Sequence, residues 1–181
     1  MVPERDVTRR GVLALAAATS LSGCLGIATN ALGSMGNNVP SSVPADLAHP
    51  GLGVADGSET IDFVADADLT LVYFFATWCG PCEPQLEYLH EVREEYDRET
   101  LAMRAVSPED DEELVADYWD DNEVDWPAAI DPDADVHAEF GVSVYPSLVL
   151  VDPDGNVRWD TSGVADADEI TARVDEELES E

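Results

Sequence analysis

An unbroken apolar run, residues 69–76 (LTLVYFFA), stops just short of two cysteines, Cys79 and Cys82, and a helical pattern begins directly after them. A strand apolar at nearly every position has no face to give to water, so it belongs in the middle of a sheet covered on both sides. The segment after the cysteines carries Leu86, Leu89, Val92 and Tyr96 at helical spacing, with acidic residues between them. That is a helix packed along one stripe. A buried central strand passing through a short turn into a helix restricts the chain to α/β architectures.

The rest of the pattern agrees. Residues 60–64 alternate as a short strand, 101–106 form another, and a helix opening at 108–111 carries Leu114, Val115, Tyr118 and Trp119 on one face. Residues 126–130 are extended. Asp131 and Pro132 then offer an N-cap and a first helical proline for a short helix that ends near Phe140, with Gly141 as its stop. Residues 147–151 form an apolar strand, 152–155 (DPDG) a turn, and 157–159 the returning hairpin strand. Asp166 caps a last helix whose Ile170, Val174 and Leu178 share a stripe. Strands alternating with helices and closing on a hairpin predict a mixed central sheet flanked by helices. Trp119 and Trp126 are expected in the core, and His49, His90 and His137 read as isolated surface or packed residues.

Two cysteines separated by two residues close a small disulfide ring. Placed between a buried strand and a helix, the first sulfur meets unpaired N–H groups and the positive end of the helix dipole, which favour a thiolate. The thiolate is the attacking species in disulfide exchange. Cys82, one turn inward, is expected to be more buried and to resolve the mixed disulfide, while Gly80 and Pro81 shape the turn. A purely structural disulfide across so small a loop stabilises little. Zinc wants about four ligands, and no second cysteine pair or paired histidines accompany these two. Copper delivery through the two thiolates stays open as an alternative, as does a thiol peroxidase, for which Thr77 is near but no arginine flanks the cysteines. No cofactor beyond the Cys79–Cys82 pair itself is called for.

The run Trp78-Cys79-Gly80-Pro81-Cys82 resembles the WCGPC motif of thioredoxins, and Gly141-Val142-Ser143-Val144-Tyr145-Pro146-Ser147 resembles the segment that carries the same family's cis-proline. The helix predicted between the third strand and Trp126 is similar to the insertion of the TlpA-like branch, whose members are commonly tethered outside the cytoplasm. The resemblance covers about residues 55–180. It implies a thioredoxin-like fold with an inserted helix before the cis-proline region. It also implies a protein-disulfide reductase type of activity and a substrate-docking surface made of Trp78, Gly80, Pro81, Tyr145 and Pro146. Exported thiol or disulfide proteins would be the partners, for example in cytochrome c or copper-site assembly. Two positions depart from the family pattern. Tyr73 stands where thioredoxins carry a buried aspartate, and Gln85 where the TlpA-like branch carries a glutamate. Glu83 and Glu87 are the nearest substitutes as proton acceptor for Cys82. A helix starting at Cys79 would also lose a backbone bond at Pro84 and bend.

The N-terminus reads as an address. Arg9 and Arg10 precede a short apolar stretch, 11–18, too short for a span of about 20 residues. The arginine pair resembles a twin-arginine signal. Leu21-Ser22-Gly23-Cys24 resembles a lipobox, in which the chain is cut before a cysteine that then carries lipid. The alternative is an uncleaved anchor helix over about 11–32. The expected organisation is a signal peptide over 1–23, a flexible tether rich in Gly, Ser, Asn and Pro over 24–54, and the thioredoxin-like domain over 55–181. The expected location is the outer face of the cytoplasmic membrane, held there by lipid at Cys24. Eight basic residues, all arginine, stand against forty acidic ones, for a formal net charge of −32. Such a chain repels itself except where salt screens it, so very salty surroundings are expected. Phosphates need basic partners, which argues against nucleic acid. A monomer is expected.

Overall fold

The computed structural model describes residues 36–57 and 59–180. The signal segment, Cys24 and the first part of the expected tether lie outside the described residues. Eleven elements follow in order: β1 (Ala48–Pro50), β2 (Thr60–Asp62), β3 (Leu69–Phe74), α1 (Cys82–Glu95), β4 (Leu101–Ser107), α2 (Glu112–Asp121), β5 (Ala128–Ile130), α3 (Asp135–Phe140), β6 (Ser147–Val151), β7 (Val157–Ser162) and α4 (Ala167–Leu178). Among the described residues no helix is long and apolar enough to cross a membrane.

Five strands make one mixed sheet in the order β5-β4-β3-β6-β7. The fully buried β3 lies at its centre, parallel to β4 and antiparallel to β6. All six of its residues are buried. Its side chains divide by the period of two: Leu69, Leu71 and Tyr73 enter one core cluster, Val72 and Phe74 the other. The first cluster takes Leu86, Leu89 and Val92 of α1, Val115 and Trp119 of α2, and Ile170 and Val174 of α4. The second takes Val136 and Phe140 of α3 together with Val43, Ile61 and Phe63. Trp119 and Trp126 are both core residues, joined by a hydrogen bond of 2.7 Å from the Trp119 indole N–H to the Trp126 carbonyl.

The register determines which segments meet. Phe74 at the end of β3 pairs with Val106 near the end of β4 and with Ser147 at the start of β6. The turn after β3, the loop after β4 and the segment before β6 therefore gather at one end of the sheet, the end where α/β proteins place their sites.

Two expectations need correction. The tether was expected to reach residue 54, yet from Gly36 onward the chain is seated on the domain. Val43 is buried, β1 pairs with β2, and main-chain bonds run from Asn38 to Gly141 and from Val43 to Gly155. Val39, Val43 and Leu47 supply the apolar contacts that a Ser- and Pro-rich composition conceals. The short helix expected from Asp131 begins instead at Asp135. The Ala134 N–H closes a turn on the Asp131 carbonyl, and the Asp131 carboxylate then caps α3 from outside it, accepting the N–H groups of Asp135 and His137 at 2.9 Å each.

Candidate active site

Cys79 and Cys82 form a disulfide with their Cα atoms 5.4 Å apart. The two sulfurs are placed unequally. Cys79 lies in the turn, 8% exposed, while Cys82 is the first residue of α1 and fully buried. The turn is closed by bonds from Cys79 N–H to the Ala76 carbonyl and from Cys82 N–H to the Cys79 carbonyl, at 3.0 and 2.9 Å. Since α1 starts at Cys82, Pro84 falls in its first turn, where N–H groups have no helical acceptor. It costs no bond, and the bend expected from a start at Cys79 does not apply.

Trp78 is 69% exposed and Gly80 and Pro81 are exposed beside it. Tyr145 meets Trp78 edge-on, with ring centroids 6.0 Å apart, and the Tyr145–Pro146 peptide bond is cis. The sheet register thus brings the two motifs together across sixty-odd residues of sequence. Pro146 is buried; its carbonyl accepts from Gly163 N–H at 2.8 Å. Among the described residues, the main-chain N–H and C=O of Tyr145 make no hydrogen bond. Burial, followed by the charges of Asp131 and Glu109, pushes the Tyr145 phenol up to about 12.

The two departures from the family pattern have structural partners. The Tyr73 hydroxyl donates to the Cys82 carbonyl at 2.9 Å, and burial pushes its phenol far above the ordinary value, so it stays protonated. Gln85 is fully buried and grips Ala165 with both ends of its amide, donating to the carbonyl at 3.1 Å and accepting from the N–H at 2.8 Å. Neither is a carboxylate for Cys82. Glu83 and Glu87 are exposed on α1.

Three groups at this end of the sheet escaped the sequence. Glu109, in the loop after β4, accepts from the N–H (3.0 Å) and the hydroxyl of Thr77 and from the Ser107 hydroxyl, and so braces the turn ahead of Trp78. The Thr77 hydroxyl is therefore committed away from Cys79. Asp131 is fully buried and draws in two of the histidines read as isolated: His137 Nδ1 lies 2.6 Å and His49 Nε2 3.7 Å from its carboxylate oxygens. Burial alone would raise the Asp131 carboxyl, but hydrogen bonds from the side chain and main chain of His137 lower it below the ordinary value. The His137 ring stands edge-on to Tyr145 with centroids 5.7 Å apart. The third is Asn37, which bonds to the loop ahead of Pro146. Only Asp131 carried a sequence signal, as a helix cap; the bonds of Glu109 to Thr77 and of Asn37 to Ser143 join positions 32 and 106 residues apart.

The fold agrees with known proteins. Thiol-disulfide oxidoreductase ResA of Bacillus thuringiensis subsp. konkukian is 28% identical over 90 residues, 50% of this chain and 52% of that protein. The chain thus spans about half the length of the ResA proteins it matches. Thioredoxin-like protein YneN of Bacillus subtilis is 26% identical over 140 residues, 68% of this chain and 81% of that protein. The crystal structure of StoA from Bacillus subtilis superposes with a TM-score of 0.62 at 17% identity, covering 74% of this chain and 98% of that one. The fold is thioredoxin-like, as the two motifs implied. The family model described as Redoxin matches residues 36–177, from the segment ahead of β1 into the last helix, and the chain belongs to that family.

Proposed function

We propose that the protein is a thiol–disulfide oxidoreductase that works outside the cytoplasm on exported proteins. The observation that carries this reading is the unequal placement of the two sulfurs beside a docking surface. Cys79 keeps an 8% exposed edge next to exposed Trp78, Cys82 is fully buried, and Tyr145, whose ring meets Trp78, has main-chain groups that are unpaired among the described residues. In the reduced protein the Cys79 thiolate attacks a substrate disulfide. One substrate sulfur leaves with the electron pair of the broken bond and takes a proton from solvent, and a mixed disulfide forms. Cys82 then attacks the Cys79 sulfur, its proton going to the departing substrate sulfur. The substrate leaves as a dithiol and the Cys79–Cys82 disulfide is restored, to be reduced again by an external dithiol.

Trp78, Gly80, Pro81, Tyr145 and Pro146 receive the substrate as an extended strand. By analogy with the TlpA-like branch, the substrates are proteins of cytochrome c or copper-site assembly and the direction is reduction. A lipid on Cys24 holds the protein at the outer face of the membrane.

The test is Cys82→Ser in the reduced protein. The resolving thiol is lost, so a mixed disulfide through Cys79 should accumulate with the exported substrate, releasable by dithiothreitol. Turnover of protein disulfides by this variant at the wild-type rate, with nothing trapped, would overturn the roles. Peroxide consumption or tight copper binding without disulfide reduction would assign the pair to a peroxidase or a metal carrier instead. For the anchor, Cys24→Ser should release the protein from membranes; unchanged retention would favour an uncleaved helix.

A further inference from the structure

The segment ahead of β1 is fitted against the loops on either side of β6, and its tightest contact falls on the docking loop. The Asn37 carboxamide oxygen accepts from the main-chain N–H groups of Ser143 and Val144, at 3.0 and 3.3 Å. Its Nδ2 donates to the Ser147 hydroxyl at 2.8 Å, and that hydroxyl donates back to the Val144 carbonyl at 2.8 Å. One side chain therefore holds the backbone just before Tyr145–Pro146 and the side chain just after it. Among the described residues, no other group accepts from the N–H of Ser143 or Val144.

This contact is built into the fold. The Asn38 N–H donates to the Gly141 carbonyl at 2.8 Å, and the Ser143 hydroxyl donates to the Gly36 carbonyl at 3.0 Å. A Cβ on Gly141 would lie 2.1 Å from the Asn38 carbonyl oxygen, so only glycine lets the two segments approach this closely. Farther along, Val43 N–H reaches Gly155 O at 2.8 Å, where a Cβ on Gly155 would lie 2.4 Å from the Val43 carbonyl oxygen.

We infer that Asn37 is a positioning residue for docking of polypeptide substrates, an inference that rests on the function proposed above. An extended strand pairs with backbone groups only if those groups already point the right way; ordering them at the moment of binding costs affinity. The N–H groups of Ser143 and Val144 are turned inward onto Asn37, and the N–H and C=O of Tyr145, unpaired among the described residues, are what the loop offers a visitor. Asn37 acts through that loop and touches neither sulfur. Its contribution belongs to substrates long enough to lie along Tyr145, and a small disulfide that meets only Cys79 does not draw on it.

The experiment compares two disulfides. With insulin as the polypeptide disulfide, Asn37→Ala should lower kcat/KM about tenfold, the loss carried by KM, since two N–H groups lose their acceptor and the loop its order. With hydroxyethyl disulfide the same variant should stay within about twofold of wild type, and iodoacetamide should alkylate reduced Cys79 at the wild-type rate. Asn37→Asp, which keeps the acceptor for both N–H groups, should restore most of the insulin activity. Equal losses on the two disulfides, or none on insulin, would overturn the inference while leaving the oxidoreductase reading intact. A wild-type protein inert toward both would overturn the two together. Should Asn37→Ala fail to fold, Asn37→Ser, whose hydroxyl is too short to span both N–H groups, serves the same comparison with the same expected outcome.

Discussion

Tyr73 and Gln85 stand where the resemblance to thioredoxins and the TlpA-like branch implies acids, and both serve as connectors. The Tyr73 hydroxyl donates to the carbonyl of Cys82, so it steadies the first turn of α1. Tyr73→Phe keeps the ring in its stack on Phe75, whose centroid lies 5.3 Å away, and removes only that bond. A loss of about 1 kcal/mol in urea unfolding is expected, with the alkylation rate of Cys79 unchanged. A changed alkylation rate would mean that the phenol governs the thiol after all. Gln85 is the stricter case. In Gln85→Leu both main-chain groups of Ala165 are stranded in the core, and a loss of at least about 2 kcal/mol is expected from the same measurement. The redox pair itself was legible in the sequence because its residues are contiguous and their chemistry is local. The identities of Tyr73 and Gln85 were equally plain, but their partners were not. Ala165 is 80 residues from Gln85, and no pattern within α1 points to it.

Among the elements, apolar β3 and β6 and the striped α1 and α4 announced themselves by period, and helix α2 by the face carrying Val115 and Trp119. The segment 36–50 did not. Gly, Ser and Pro usually mark a linker, and the main-chain bonds of Asn38, Ser41 and Val43 go to Gly141, Val157 and Gly155, more than 100 positions away. Gly141→Ala tests how far α3 and this segment depend on each other. The glycine has φ +62° and faces the Asn38 carbonyl, so alanine suffers both the left-handed conformation and the clash. A loss above about 1 kcal/mol is expected, together with faster amide exchange at Asn38, whose N–H bonds to the Gly141 carbonyl. The start of α3 is held by the Asp131 carboxylate, and this gives a pH dependence whose sign can be worked out. The folded carboxyl lies below its unfolded value of about 3.9. Between the two values the unfolded chain binds the extra proton. The stabilisation is therefore complete above the ordinary carboxylate range and is lost as pH falls through the folded value. Asp131→Asn should cost about 2 kcal/mol at neutral pH and should unfold less steeply than wild type as pH is lowered from about 5 to 2. Parallel acid profiles for the two proteins would sink that assignment.

At the scale of the whole molecule the dominant fact is charge. Of the described acidic residues only Asp131 is buried, so the excess lies on the surface. The described arginines are few, and three of them, Arg93, Arg98 and Arg104, line a single cavity with Asp56, Asp62 and Asp66. The pairs Arg98–Asp125, Arg158–Glu177 and Arg173–Glu176 neutralise only their own neighbourhoods. Exposed pairs of this kind contribute little, about 0–1 kcal/mol each. What remains is long-range repulsion among carboxylates, which compaction makes worse and which salt relieves once the Debye length, about 10 Å at 0.1 M and about 3 Å at 1 M, falls below the spacing between charges. The thermal midpoint should therefore climb steeply between about 0.05 and 0.5 M potassium chloride, then more slowly as screening saturates. Strengthened apolar burial would produce a different curve, rising steadily into the molar range and more for sulfate than for chloride at equal ionic strength. Screening predicts equal effects of the two anions at equal ionic strength in the low range. A midpoint that ignores salt below 0.5 M would show that the acidic surface is not a source of strain, and that its spacing already keeps the carboxylates apart in the folded chain.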